Sequence, residues 1–213
     1  MAIGAPYTIL QDGATNRNSG TPTAATTNLA PGGSLIVCAI SGNALSSLID
    51  SAGNNYTKAI ASNTNFDIEI WYCSNCLFLA TGGTFTATGS GGSQYSLNVA
   101  AVVGGANGGF NASGANHVTG TSITVTSGTT DRVEEIAFAA INGLGGGTYT
   151  EDSNWTELAS NPEATNPLAY RKLSAIGTTT WSPSWTNSLP VDGVIATFRA
   201  TLAPLGGFAA SEW

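Results

Sequence analysis

"DSAGNNYTKAIAS", residues 50–62, returns in shortened form as "DSNWTELAS", residues 152–160. Both stretches open on Asp-Ser, pass through Asn-aromatic-Thr and a charged residue, and end aliphatic-Ala-Ser. The strands downstream of each copy decide how the phrase is read. After the first come "IEIWYCS", the Thr-rich "GGTFTAT" and the apolar "YSLNVAAVV". After the second come "LAYRKLS", "GTTTWS" and "GVIATF" in the same order. A ligand site used twice would repeat only its ligating residues, whereas a fold used twice repeats its strand order. The echo therefore points either to a duplicated ancestral half or to topologically equivalent quarters of one double-sheet fold. In both cases Asp50 and Asp152 are turn residues whose carboxylates bond nearby backbone N–H groups.

The rest of the periodicity is β. "SLIVCAIS" (34–41) is a continuous apolar run, consistent with a strand buried on both faces. "FDIEIWYC" (66–73) alternates, with Phe66, Ile68, Ile70 and Tyr72 on one side and Asp67, Glu69 and Trp71 on the other. "YSLNVAAVV" (95–103) places Tyr95, Leu97, Val99, Ala101 and Val103 inward. "TSITVT", "EIAFAAI", "LAYRKL", "TTTWSPSW" and "GVIATFR" come next, with shorter pieces at "YTILQD", "LSSLID", "NYTKAIA" and "TFTAT". Turn signals such as Asp12-Gly13, Gly82-Gly83 and Asp192-Gly193 separate them. No segment has a helical period. About a dozen short strands at this spacing predict an all-β fold, an antiparallel two-sheet β-sandwich of jelly-roll type. Residues 1–202 are expected to form one domain and 203–213 a C-terminal extension. Two Gly-rich stretches, 104–120 and 142–153, resist strand assignment.

Composition narrows the function classes. Only 9% of the 213 residues are charged and 27 are Gly, against roughly 25% charged in an average domain. A surface of Ser, Thr, Asn and Gly carries little repulsion against self-association. Net charge is −7, and the six Lys and Arg are scattered, so no basic stripe exists for nucleic acid. No apolar run is long enough for a membrane helix, and "MAIGAPYTILQDG" has no secretory-signal pattern. No membrane partner and no signal-driven export are expected.

Candidate chemistry is sparse. Asp67 with Glu69, and Glu134 with Glu135, are the available carboxylate pairs, but nothing in sequence would raise one pKa as a glycosidase requires, and they are expected on the solvent face. The single His117 sits in a Gly/Asn stretch, and no Gly-x-Ser-x-Gly elbow is present. Asp50/Asn54 and Asp152/Asn154 offer oxygen ligands for calcium, without an Asp-x-Asp-x-Asp-Gly run. "CSNC" (73–76) has the form of half a redox or zinc motif, but its second half is missing and unpaired thiols are expected. Trp71, Trp181 and Trp185 could form a glycan platform. No catalytic residue, cofactor or metal site is assigned. The tail "APLGGFAASEW" (203–213) carries Phe208 and Trp213 beyond a Pro and two Gly, which suits docking into a groove. With Phe110 in a Gly-rich loop, these are the expected interface residues.

The ordered set "SLIVCAIS", "DSAGNNYTKAIAS", "IEIWYCS", "GGTFTAT", "YSLNVAAVVGGAN", "TSITVTSGTTDRVEEIAFAAI", "NWTELAS", "AYRKLSAIGTTTWSPSW" and "GVIATFRA" resembles a loose family of β-sandwich proteins. These occur in tailed-phage structural gene clusters and in some bacterial surface proteins. The resemblance implies a non-enzymatic virion component, such as a capsid decoration protein or a tail part. Its partners would be copies of itself and other virion proteins, such as the major capsid or tail protein. The alternative is a carbohydrate-binding adhesin that recognises a surface glycan.

Overall fold

The computed structural model describes residues 8–14, 23–25, 30–42, 44–64, 67–89, 96–103, 109–144, 148–158 and 167–199. The described residues contain strands and turns and no helix. In chain order the first half holds β1 (Thr8–Ala14), β2 (Thr23–Ala25), β3 (Leu35–Gly42), β4 (Leu45–Asp50), β5 (Thr57–Ser62), β6 (Asp67–Cys73), β7 (Thr84–Gly89) and β8 (Ser96–Val103). The second half holds β9 (Phe110–Ser122), β10 (Val125–Thr126), β11 (Glu135–Asn142), β12 (Tyr149–Thr150), β13 (Thr156–Leu158), β14 (Leu168–Leu173), β15 (Thr180–Trp181) and β16 (Ser184–Arg199).

The strand order is the same twice. The first inner sheet runs β1-β8-β3-β6-β5, and the second runs β9-β16-β11-β14-β13, every pair antiparallel. Each strand of one sheet thus has its counterpart eight strands later in the other. The outer strands match as well: β7 pairs with β2, and β15 pairs with β10. One difference is local. In the first half β4 pairs with β7, whereas its counterpart β12 pairs with Ser184 and Trp185, at the start of the long β16.

The two inner sheets pack face to face. Leu35, Val37 and Ala39 of β3 share one core with Ile136, Phe138 and Ala140 of β11, and Ala100 and Val102 of β8 join Ala196 and Phe198 of β16 in it. The other face of each inner sheet is covered too. Ile36, Cys38 and Ile40 pack under Leu45, Leu48, Phe85 and Ala87 of the first outer layer. Ala137, Ala139 and Ile141 pack under Ile123, Val125 and Trp181 of the second. The sandwich thus gains an outer layer on each side.

Burial on both faces explains the continuous apolar runs, because no side of β3, β8, β11 or the later part of β16 is left to water. It also corrects the alternation expected for β8. Leu97, Val99 and Ala101 face the outer layer, and Ala100 and Val102 face the sandwich core. Each large aliphatic buried this way contributes about 1.5–3 kcal/mol.

The Gly-rich stretch 104–120 is corrected too, since from Phe110 onward it forms the edge strand β9. Gly114 is what allows the fit: a Cβ there would lie 1.9 Å from the Thr126 carbonyl oxygen. A sequence without apolar periodicity can therefore be a strand, because β9 is placed by close backbone approach and by its ladder to β16. Likewise, residues 142–153 contain the short β12.

Candidate functional site

The repeated Asp residues build turns. Asp50 is buried, and its carboxylate accepts from the N–H groups of Ala52 (2.9 Å) and Asn54 (3.0 Å), the Asn54 amide (2.8 Å) and the Tyr56 hydroxyl (2.9 Å). Asp152 accepts from the N–H of Asn154 at 2.9 Å, two residues on, and from the N–H of Ser182 at 3.0 Å. Both are Asx turns, and in each a nearby aromatic packs on the outer layer: Tyr56 on Phe85, Trp155 on Trp181. With these oxygens engaged by the chain's own N–H and O–H groups, neither loop is arranged as a calcium cradle. Among the described residues no group of three or more His, Cys, Asp or Glu side chains could hold a metal ion.

The three indoles expected as a glycan platform are buried. Trp71, Trp181 and Trp185 are 5%, 0% and 4% exposed. Each N–H is used internally, donating to Glu69, Glu151 and the Gly120 carbonyl respectively. A sugar ring needs an open aromatic face, and none of the three offers one. The reason is the outer layers, which turn the apparent solvent side of β6 and the β15–β16 segment into core.

The same layers bury carboxylates that alternation places at the surface. Glu69 accepts from Lys58 (2.6 Å), Trp71 (2.6 Å) and the Leu45 N–H, with Lys58 also over the Trp71 ring. Glu135 is fully buried and accepts from Asn111 on β9. Arg199 ties this end together, donating to Asn111, to the Phe110 carbonyl and in bidentate fashion to Asp131. Asp131, which is exposed, is held below its ordinary carboxylate value chiefly by that guanidinium.

Ser62, His117 and Asp192 converge, a grouping that sequence separation hid. Here the aspartate sits at the centre: the Ser62 hydroxyl donates to Asp192 Oδ1 at 2.8 Å, and His117 Nδ1 lies 3.3 Å from the same oxygen. In a nucleophilic triad the hydroxyl donates to the imidazole, which is in turn oriented by the carboxylate. The order found here instead joins the two inner sheets, since Ser62 is on β5 and the other two are on β16 and β9.

Among the described residues the exposed large hydrophobics Leu77, Phe78, Val133 and Ile176 lie on loops, and Ile49 lies on β4. Leu77 and Phe78 are 60% and 57% exposed, on the loop after β6. The Leu77 backbone is clamped by the Asn54 side chain, which accepts from its N–H at 2.7 Å and donates to its carbonyl. In the second half Ile176, 59% exposed, lies on the equivalent loop after β14. That loop is braced by Thr130, whose N–H donates to the Gly177 carbonyl at 2.9 Å and whose hydroxyl accepts from the Gly177 N–H at 3.1 Å. Beside it a polar cleft of about 440 Å³ is lined by Asp152, Asn154, Arg171, Lys172 and Thr178–Thr180.

Phe110, expected at an interface, is half-buried and packs against Tyr72 and Phe198 at the rim of the central core. Phe208 and Trp213 lie outside the described residues. Comparison with protein-family models, with curated proteins and with solved structures finds no match to this chain.

Proposed function

We propose that the chain is a non-enzymatic structural component of a phage virion that works by packing against copies of itself and other particle proteins. The observation that carries this reading is the pair of equivalent loops, each braced by hydrogen bonds and each presenting large apolar side chains: Leu77 and Phe78 on one, Ile176 on the other. Rigid apolar knobs on an otherwise weakly charged surface favour association, since little charge must be desolvated or neutralised. The buried Asp50, Glu69 and Asp192 serve the same reading, because their carboxylates are engaged by partners inside the fold. Purified particles from cells carrying the gene test it: the chain should be present at a fixed ratio to the major shell or tail protein.

A second reading, a glycan-binding surface module, rests on the polar cleft beside Asp152 and Arg171 rather than on the indoles. Binding on a glycan array that is lost on Arg171→Ala would favour it.

A further inference from the structure

The segment Cys73-Ser74-Asn75-Cys76 leaves the end of β6 still attached to its neighbour. Cys73 pairs with Ile36 of β3, and Cys76 donates its N–H to the Ser34 carbonyl at 3.0 Å while the Gly33 N–H bonds the Cys76 carbonyl at 2.8 Å. Between the two cysteines Ser74 and Asn75, the latter at φ 54°, form a bend. Cys76 belongs to the first outer core and Cys73 packs against the same core, so the two side chains lie on one side of the segment.

The Cys76 thiol donates to the Cys73 carbonyl oxygen at 3.0 Å, which holds its sulfur against the backbone of Cys73. Cys76 is buried against the first outer core, Cys73 is half-buried, and both are reduced. We propose that Cys73 and Cys76 form a modification site, a dithiol that closes to an intraloop disulfide when it meets a small-molecule disulfide such as oxidised glutathione.

The roles of the two thiols come from exposure and hydrogen bonding. The neighbouring Cys76 thiol holds the Cys73 thiol below its ordinary value, against the opposing effects of burial and Asp50. The thiolate attacks one sulfur of the oxidant, the S–S bond breaks, and one glutathione thiolate leaves. Cys76 then gives its proton to solvent, attacks the Cys73 sulfur of the mixed disulfide, and expels the second glutathione thiolate. Two protein thiols are oxidised and one disulfide is reduced to two thiols. Cys38, fully buried with its thiol pushed well up by that burial, takes no part. Closure would fix the loop that carries Leu77 and Phe78.

A ring this short adds little loop entropy, so thiol content is the readout rather than melting temperature. The full chain, incubated with oxidised glutathione, should become lighter by two hydrogens and fall from three titratable thiols to one after denaturation, with a Cys73–Cys76 cross-linked peptide. Cys76→Ser should stop at a glutathione adduct on Cys73, and Cys73→Ser should remain unmodified. Three thiols retained by the wild-type chain, a glutathione adduct that does not resolve, or a cross-link involving Cys38 would each overturn the assignment.

Discussion

Phe85 and Trp181 occupy the same place in the two halves of the molecule. Phe85 lies on β7, opposite Ala24 of β2, and Trp181 lies on β15, opposite Val125 of β10. Each is fully buried, and each carries the aromatic of the neighbouring Asx turn, Tyr56 at a centroid distance of 5.7 Å and Trp155 at 6.1 Å. The aromatic clasp between turn and outer layer is thus a repeated structural unit with different side chains.

Phe85→Ala and Trp181→Ala should each cost about 3–5 kcal/mol through lost burial and the cavity left behind. Because the two halves share one central core, each variant is expected to unfold in a single transition, with a lower denaturant midpoint and an unchanged slope. Two separate transitions would mean that the halves are independent.

Lys58→Met leaves Glu69 almost fully buried, with Trp71 and the Leu45 N–H as its remaining donors. A loss of about 1.5–3 kcal/mol is expected, the range for a hydrogen bond to a charged group. The double variant Lys58→Met/Glu69→Gln should recover part of it, since the stranded charge is then gone. Equal losses in the single and double variants would contradict this.

Burial raises the Glu151 carboxyl above its ordinary value, although Trp181 and Tyr149 donate to it. A group with a raised folded pKa binds its proton more tightly in the folded chain than in the unfolded one. Its contribution to stability is therefore fully favourable below the unfolded value and declines as pH rises from there through the folded value. Denaturation midpoints measured over that window should fall less steeply for Glu151→Gln than for the wild type. Parallel curves would show that this carboxyl is not responsible.

Leu77→Ser/Phe78→Ser alters exposed side chains while leaving the Asn54 clamp on the backbone. Stability should stay within about 0.5 kcal/mol of the wild type, as for other surface changes. Self-association by sedimentation and uptake into particles should both drop. A stable variant that associates like the wild type would remove these residues from the interface.

Strand content and the repeated strand order were legible because each rests on local order: apolar runs, turn residues and a phrase that recurs with its sequel. Layering was not. Whether Trp71, on the polar side of β6, meets water depends on Leu48 and Phe85 of other strands, which alternation within one strand cannot report. The expectation of a solvent-side Glu69 and an open indole failed for this one reason. The edge strand β9 was hidden because its Gly and Asn residues serve backbone approach, as at Gly114, rather than apolar packing. His117 and Asp192 lie on different strands and Ser62 on the other sheet, so only the assembled sandwich unites them. "CSNC" was visible as a motif, but that both thiols lie against one core depends on the outer layer, which other strands supply.

Whether the chain is built into virions is decided by quantitative mass spectrometry of purified, salt-washed particles. A packing component should be present at a constant small-integer ratio to a major shell or tail protein, with the ratio falling for Leu77→Ser/Phe78→Ser. Particles that lack the chain, or carry it at variable trace levels, would contradict a structural role in the virion.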